Sequence, residues 1–177
     1  SHPYDADGDL PLPPLPQRAS ALDISPVVSV ELQADVADPL CVTFQAASCH
    51  FAGRGAAALL ALCQALNETG GEVLIPSLVC PSVPLAIMLG GLVPVFCDVL
   101  PDDATLDPAA AAAAITPKTV AIVAVHLYGH PCDLRALRAL ADQHHLLLIE
   151  DCAQSIGQLA DDVWLGSVGD AALLSFH

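Results

Sequence analysis

Short apolar runs alternate with longer Ala- and Leu-rich segments from residue 44 onward. Continuous apolar runs, without a polar residue at every second position, are typical of strands buried on both faces of a parallel sheet. The longer segments have the length of helices, and two of them end at the helix-stopping pairs Gly70-Gly71 and Gly90-Gly91. The pattern predicts an α/β fold, a three-layer sandwich in which helices cover both faces of a mostly parallel sheet.

The predicted elements follow one another at short spacing. Strands are predicted over residues 72–76, 92–99, 119–129, 146–151 and 170–176. Helices are predicted over residues 56–71, 81–91, 107–115 and 133–145, with Pro108 able to open the third and Asp133 a fair cap for the fourth. In such folds the ligand lies in the crevice beyond the carboxyl ends of the strands.

The first 40 residues differ from the rest and are treated as a separate part. The stretch LPLPPLPQR, residues 10–18, favours polyproline or extended chain over a packed element. Two interpretations stay open for residues 1–40: a disordered tail, or an arm docked on another subunit. Residues 41–177 are predicted to form the sandwich.

Composition narrows the possible partners and the compartment. The net charge is −15 with only five basic residues, which argues against nucleic acid and anionic membrane surfaces. No apolar stretch approaches the roughly 20 residues of a membrane helix. The seven cysteines form no C-x-x-C pair, and no Cys/His spacing resembles a zinc site, so we expect reduced thiols in a cytoplasmic protein without a metal.

Polar residues follow the predicted strands at the edge where a ligand is expected. They are Asp98, the segment His126–Gly129 and the segment Glu150–Gln154. The strand LLLIED runs into two acids, and burying an unpaired carboxylate is costly. Either the acids point into water, or the strand delivers an acid to a ligand. The same choice applies to His126 and Tyr128, which are either packed and satisfied or position a substrate.

Two further segments could hold an anion. Small residues in FAGRGAAAL precede a helix, whose free N–H groups attract a phosphate that glycine allows to approach closely. Alternatively Gly53 and Gly55 only shape a turn. In the segment GSVGDAALLSFH, Ser175 either offers a hydroxyl to a phosphate or is an incidental strand residue.

Taken together and in order, these segments resemble a known family. The most specific run extends from VHLYG through IEDCAQ to GD-x-x-x-x-SF, and matching segments cover about residues 52–177. The chain resembles the DegT/DnrJ/EryC1/StrS sugar aminotransferases, fold-type-I enzymes that use pyridoxal phosphate (PLP). The resemblance implies the N-terminal part of the PLP-binding large domain, incomplete at its C-terminal side.

The resemblance assigns a role to each candidate residue. Asp151 looks like the acid that pairs with the pyridine nitrogen, and Gln154 like the partner of the ring hydroxyl. Gly53, Arg54, Gly55 and Ser175 match phosphate-binding positions, and His126 and Tyr128 match substrate-binding positions. Cys80 stands where the family often stacks an aromatic ring on the pyridine. Ala52-Gly53-Arg54 stands where the family often has Ser-Gly-Thr or Ser-Gly-Ser.

The Schiff-base lysine expected of the family is absent from the chain. Lys118 is the only lysine, and it precedes a strand, at the wrong end for the crevice. The resemblance therefore implies an aminotransferase of nucleotide-linked keto-sugars, with glutamate as amino donor, dimeric when complete. We expect the 177 residues to be a fragment without catalytic residues that is inactive alone. The alternatives are a non-catalytic binding or assembly module, and a sugar-dehydrating enzyme of the same fold.

Overall fold

The computed structural model describes residues 34–176, with side chains described from residue 39 onward. Five helices and seven strands are described in this part of the chain. The helices are α1 (Ala34–Phe44), α2 (Gly55–Ala65), α3 (Ser82–Leu89), α4 (Pro108–Ala114) and α5 (Leu134–His144). The strands are β1 (Glu72–Pro76), β2 (Val93–Cys97), β3 (Thr119–Val125), β4 (Leu147–Asp151), β5 (Leu159–Ala160), β6 (Val163–Trp164) and β7 (Ala171–Leu173).

Five strands form one sheet in the order β2-β1-β3-β4-β7, and every described pairing in it is parallel. The register aligns the ends of the inner strands, because Val125 pairs with Asp151 and Asp151 pairs with Leu173. The carboxyl ends of these strands therefore meet at one edge. The predicted α/β fold with a mostly parallel sheet is confirmed.

Successive residues of the buried strands serve two separate cores, because side chains alternate between the faces of a sheet. Val73, Ile75 and Ile149 pack with α2 and α3 on one face. Leu74 and Leu148 pack with α4 and α5 on the other. Two cores around one sheet make the three layers that the sequence predicts.

Several boundaries differ from the predicted ones. The helix predicted to run to Gly71 ends at Ala65, and Asn67 already has a φ of 52°, which a helix does not tolerate. The strand predicted to run to Gly129 ends at Val125, because Tyr128 adopts a φ of 55° within a short 3₁₀ turn. The predicted cap is confirmed, since the side chain of Asp133 accepts the N–H of Ala136 in the first turn of α5, and α4 begins at Pro108 as predicted. Asp107, for which no cap was predicted, accepts the N–H of Ala109 in the same way.

Helix α1 and the β5–β6 hairpin were not predicted. Pro39 inside α1 argues against a helix, and strands of two residues are too short to show periodicity. The two elements meet where the rings of Phe44 and Trp164 pack edge to face, with centroids 6.4 Å apart. Residues 1–33 of the predicted arm lie outside the described residues, whereas residues 34–40 belong to α1. Within residues 34–176 no helix is long and apolar enough to cross a membrane.

Candidate cofactor site

The polar residues that follow the strands converge on one edge of the sheet. Cys80 lies after β1, Tyr128 after β3, Gln154 after β4 and Ser175 after β7. Because these strands are parallel neighbours in one sheet, about 4.8 Å apart, all four residues follow strands that end at the same, carboxyl edge. The sequence-based prediction placed the candidate site there.

The N-terminus of α2 reaches the same edge. Leu62 of α2 lies beside Leu147 and Ala171, near the amino ends of β4 and β7. Gly55 lies seven residues before Leu62, roughly 10 Å along the helix, and Ser175 lies four residues after Ala171, roughly 13 Å along the strand. Helices that cover a parallel sheet usually run antiparallel to its strands, and with that direction Gly55 and Ser175 both lie at the carboxyl edge.

The turn at the start of α2 does not itself require glycine at positions 53 and 55. Neither Gly53 nor Gly55 has a positive φ, and a Cβ atom added at either position meets no atom within 4 Å. Arg54, the residue before the helix, is extended and its side chain caps no N–H group. The open approach to free helical N–H groups fits a phosphate better than the turn-only alternative.

Asp151 is a buried acid with few partners. Its residue is 9% exposed, and its Oδ1 accepts one hydrogen bond from the N–H of Ala153 at 3.0 Å. Burial raises the pKa of the Asp151 carboxyl above its usual value near 3.8, and the Ala153 N–H and the nearby His126 offset only part of this. On β4 it follows Ile149 by two residues, so its side chain lies on the α2–α3 face. A cation in the crevice would stabilise it.

Gln154 bridges the ends of two strands. Its Oε1 accepts a hydrogen bond of 2.8 Å from the backbone N–H of Tyr128. This contact orients the side-chain amide, and Nε2 is the group left to donate to an oxygen in the crevice. The Tyr128 side chain is 73% exposed at the same edge.

Cys80 is an exposed thiol in the loop between β1 and α3. The Ser82 hydroxyl donates to its Sγ at 3.1 Å. Hydrogen bonds from Ser82 lower the pKa of the Cys80 thiol, and the charge of Asp151 acts on it in the opposite sense. Cys80 is thus within electrostatic reach of Asp151.

His126 is a buried histidine whose two ring nitrogens both have hydrogen-bond partners within the protein. It is fully buried, its Nδ1 accepts the N–H of Cys132 at 3.1 Å, and its Nε2 lies 3.1 Å from Oε2 of Glu150. An accepting Nδ1 requires the proton on Nε2, which therefore donates to Glu150. Neither ring nitrogen is left for a substrate, so the structure supports the satisfied-histidine alternative rather than substrate contact.

Sequence reasoning offered water or a ligand as the partner of Glu150 and missed the structural role that it has. Its carboxylate is completely buried and accepts hydrogen bonds from Gly166, Val168, Gly169 and His126. The signal that could have revealed it is the pair of glycines in GSVG, which bring main-chain N–H groups close to the strand.

A metal site is not the best description of this cluster. His126, Glu150 and Cys152 offer ligand atoms within 4.8 Å of one another. The carboxylate of Glu150 already accepts four hydrogen bonds, and both ring nitrogens of His126 already have protein partners. The cluster therefore fits a structural network.

The fold and this edge define a class of proteins. Parallel strands with an acid at the end of an inner strand, facing a helix N-terminus, characterise the PLP-dependent aminotransferases of fold type I. The chain belongs to the DegT/DnrJ/EryC1/StrS aminotransferase family, whose family model matches residues 37–177. Pyridoxal phosphate is the cofactor of this family.

Three similar proteins illustrate the family. EryC1 of Saccharopolyspora erythraea, described as an erythromycin biosynthesis sensory transduction protein, is 45% identical over 132 residues, 74% of this chain and 36% of that one. L-glutamine:2-deoxy-scyllo-inosose aminotransferase of Streptomyces paromomycinus is 43% identical over 130 residues, 73% of this chain and 31% of that one. The crystal structure of DesI with its TDP-sugar product matches with a TM-score of 0.64 and 44% identity, over 70% of this chain and 31% of DesI. The chain thus spans about a third of the length of these relatives.

Proposed function

We propose that the complete protein is a PLP-dependent aminotransferase of nucleotide-linked keto-sugars, with glutamate as amino donor. The observation that carries the proposal is Asp151, a buried acid with a raised pKa and a single hydrogen-bond donor at the carboxyl edge of the sheet. The sugar class rests on similarity to aminotransferases of sugars and cyclitols, among them DesI, solved with a TDP-sugar.

The residues of the crevice suit the different parts of the cofactor. Asp151 holds the proton on the ring nitrogen, and the Nε2 group of Gln154 donates to the ring oxygen. The N–H groups at the start of α2, with Arg54 and Gly55, bind the phosphate together with the Ser175 hydroxyl. Cys80 packs against the ring. When bound, PLP supplies an electron sink for the carbanion formed at the amino-bearing carbon.

The reaction also needs a lysine at this edge, to hold the cofactor and to move a proton between carbon atoms. Lys118 directly precedes β3, which places it at the opposite, amino edge of the sheet. We propose that sequence beyond residue 177 of the complete protein supplies the lysine, so that residues 1–177 alone do not transfer amino groups.

The complete protein is proposed to act as a homodimer. Neither α3 nor β2 contains a charged residue, and both carry apolar residues that are each about half exposed (Leu85, Met88, Leu89, Val93 and Phe96). Two copies of a chain with net charge −15 repel each other except where an uncharged face lets them approach. Light scattering tests the dimer: Met88→Glu should give a monomer, and a monomeric unmodified protein refutes it.

Cofactor binding and amino transfer test the enzyme proposal. The full gene product should bind PLP in equilibrium dialysis, and it should convert a nucleotide-linked keto-sugar to the amino sugar with glutamate. Glutamine is assayed in parallel, because it is the donor in the name of the scyllo-inosose relative. Binding without amino transfer from any donor would favour the binding-module alternative, and no binding of PLP at all would refute the enzyme proposal.

A further inference from the structure

The Glu150 carboxylate joins the loop before β7 to His126, the residue that follows β3. Its Oε1 accepts from Val168 at 2.7 Å and from Gly169 at 2.6 Å. Its Oε2 accepts from Gly166 at 2.8 Å and from the His126 ring at 3.1 Å. Hydrogen bonds to an ionised acceptor are about twice as strong as neutral ones. The Glu150 carboxylate therefore holds both His126 and the loop over residues 166–169 in place.

The loop over residues 166–169 is built to surround that carboxylate. Gly166 has a φ of 97°, a conformation that L side chains rarely adopt. A Cβ atom at Gly169 would lie 2.8 Å from the carbonyl oxygen of Leu148. Glycine is therefore required at both ends of the loop, where three N–H groups converge on Glu150.

This loop leads directly into β7 and then to Ser175. Strand β7 is only three residues long, and its end is held by the bond from the Cys152 N–H to the Leu173 carbonyl at 2.9 Å. Ser175 lies two residues beyond Leu173, the register partner of Asp151. The position of the Ser175 hydroxyl relative to Asp151 therefore depends on how the 166–169 loop is anchored.

We propose that Glu150 is a positioning residue for the phosphate end of the cofactor site, acting through the 166–169 loop on Ser175. This inference rests on the proposed PLP function. Asp151 acts on the ring nitrogen, and its neighbour Glu150, on the opposite face of β4, sets where the phosphate is held. Loss of Glu150 should then weaken ligands that carry a phosphate more than ligands that lack one.

The test compares pyridoxamine phosphate with pyridoxamine, which differ only in the phosphate and, unlike aldehydes, do not react with lysine. Equilibrium dialysis of the full gene product gives a ratio, the dissociation constant of pyridoxamine divided by that of pyridoxamine phosphate, which measures the preference for the phosphate. In Glu150→Gln this ratio should fall about tenfold, the factor expected when charge-assisted contacts are weakened. Val73→Ala, a buried core substitution on β1, which β3 separates from β4, is the control and should leave the ratio unchanged.

A double substitution tests whether Glu150 acts through Ser175. Ser175→Ala alone should lower the ratio, and adding Glu150→Gln should lower it little further, because coupled residues are not additive. If Glu150→Gln does not fold, Gly169→Ala displaces the same loop without changing charge and should lower the ratio as well. An equal loss of both ligands, or full additivity, overturns the inference and leaves the cofactor proposal intact. No binding of either ligand by the unmodified protein overturns both.

Discussion

Glu150 and Asp151 are neighbours in the chain, are both buried, and lie on opposite faces of the sheet. Glu150 has four hydrogen-bond donors around its two oxygens. Asp151 has one donor from the main chain and a raised pKa. A buried acid surrounded by donors is already part of the structure, whereas a buried acid with a single donor still needs a cation. The comparison indicates a structural role for Glu150 and a ligand-binding role for Asp151.

Removing the side chain of Glu150 should have the largest effect. In Glu150→Ala three main-chain N–H groups and the His126 ring lose a buried acceptor, and breaking such a charged contact costs about 3–5 kcal/mol. We expect the free energy of unfolding, measured by urea denaturation and circular dichroism, to fall by this amount. An unchanged denaturation midpoint would contradict the architectural role of Glu150.

Asp151→Asn should act on binding and not on folding. The amide can still accept the Ala153 N–H, but it cannot pair with a cationic ring, a loss of about 3 kcal/mol or roughly a hundredfold in affinity. Dialysis against pyridoxamine phosphate measures the affinity, and thermal unfolding of the cofactor-free variant should show no loss of stability. Affinity within threefold of the unmodified protein would count against Asp151 as the ring partner.

The pH dependence of stability should differ between these two proteins. Because the folded pKa of Asp151 lies above its usual value near 3.8, the folded state holds this proton more tightly than the unfolded state. Its contribution to stability is present below pH 3.8 and is lost as the pH rises through the raised folded pKa. The stability of the cofactor-free protein minus that of Asp151→Asn should therefore fall over this interval. A difference that stays flat from pH 3 to 7 would refute the raised pKa.

The smallest expected effect concerns Cys80. An aromatic side chain there should stack on the pyridine ring and add about 1 kcal/mol, or roughly fivefold tighter binding. Cys80→Phe is readily tested because Cys80 is exposed in the cofactor-free structure. Cys80→Ser is the matched control without a ring. If the Phe variant binds pyridoxamine phosphate no more tightly than the Ser variant, the ring does not lie at Cys80.

The sequence predicted the main features of the candidate site, but it did not predict the hydrogen bonds that Glu150 accepts beside it. The apolar runs placed Gln154 and Ser175 after parallel strands, and parallel strands bring their carboxyl ends to one edge. His126 could not be decided from sequence, because a packed and a ligand-binding histidine at a strand end look alike. Helix α2 ends earlier than predicted because Asn67 takes a positive φ, which asparagine tolerates just past a helix end, and the prediction relied on Gly70-Gly71 instead.

By itself the sequence determined which segments become buried strands, and hence that two adjacent acids at the end of β4 must face opposite sides. Only the tertiary structure decided which partners each acid finds. The donors to Glu150 come from residues 16 to 24 positions away in the chain. Three of them are main-chain N–H groups. Every residue except proline carries such a group, so no pattern of side chains in the sequence predicts which ones will bind Glu150. Chain folding alone brings those groups to one carboxylate and leaves the other facing the crevice.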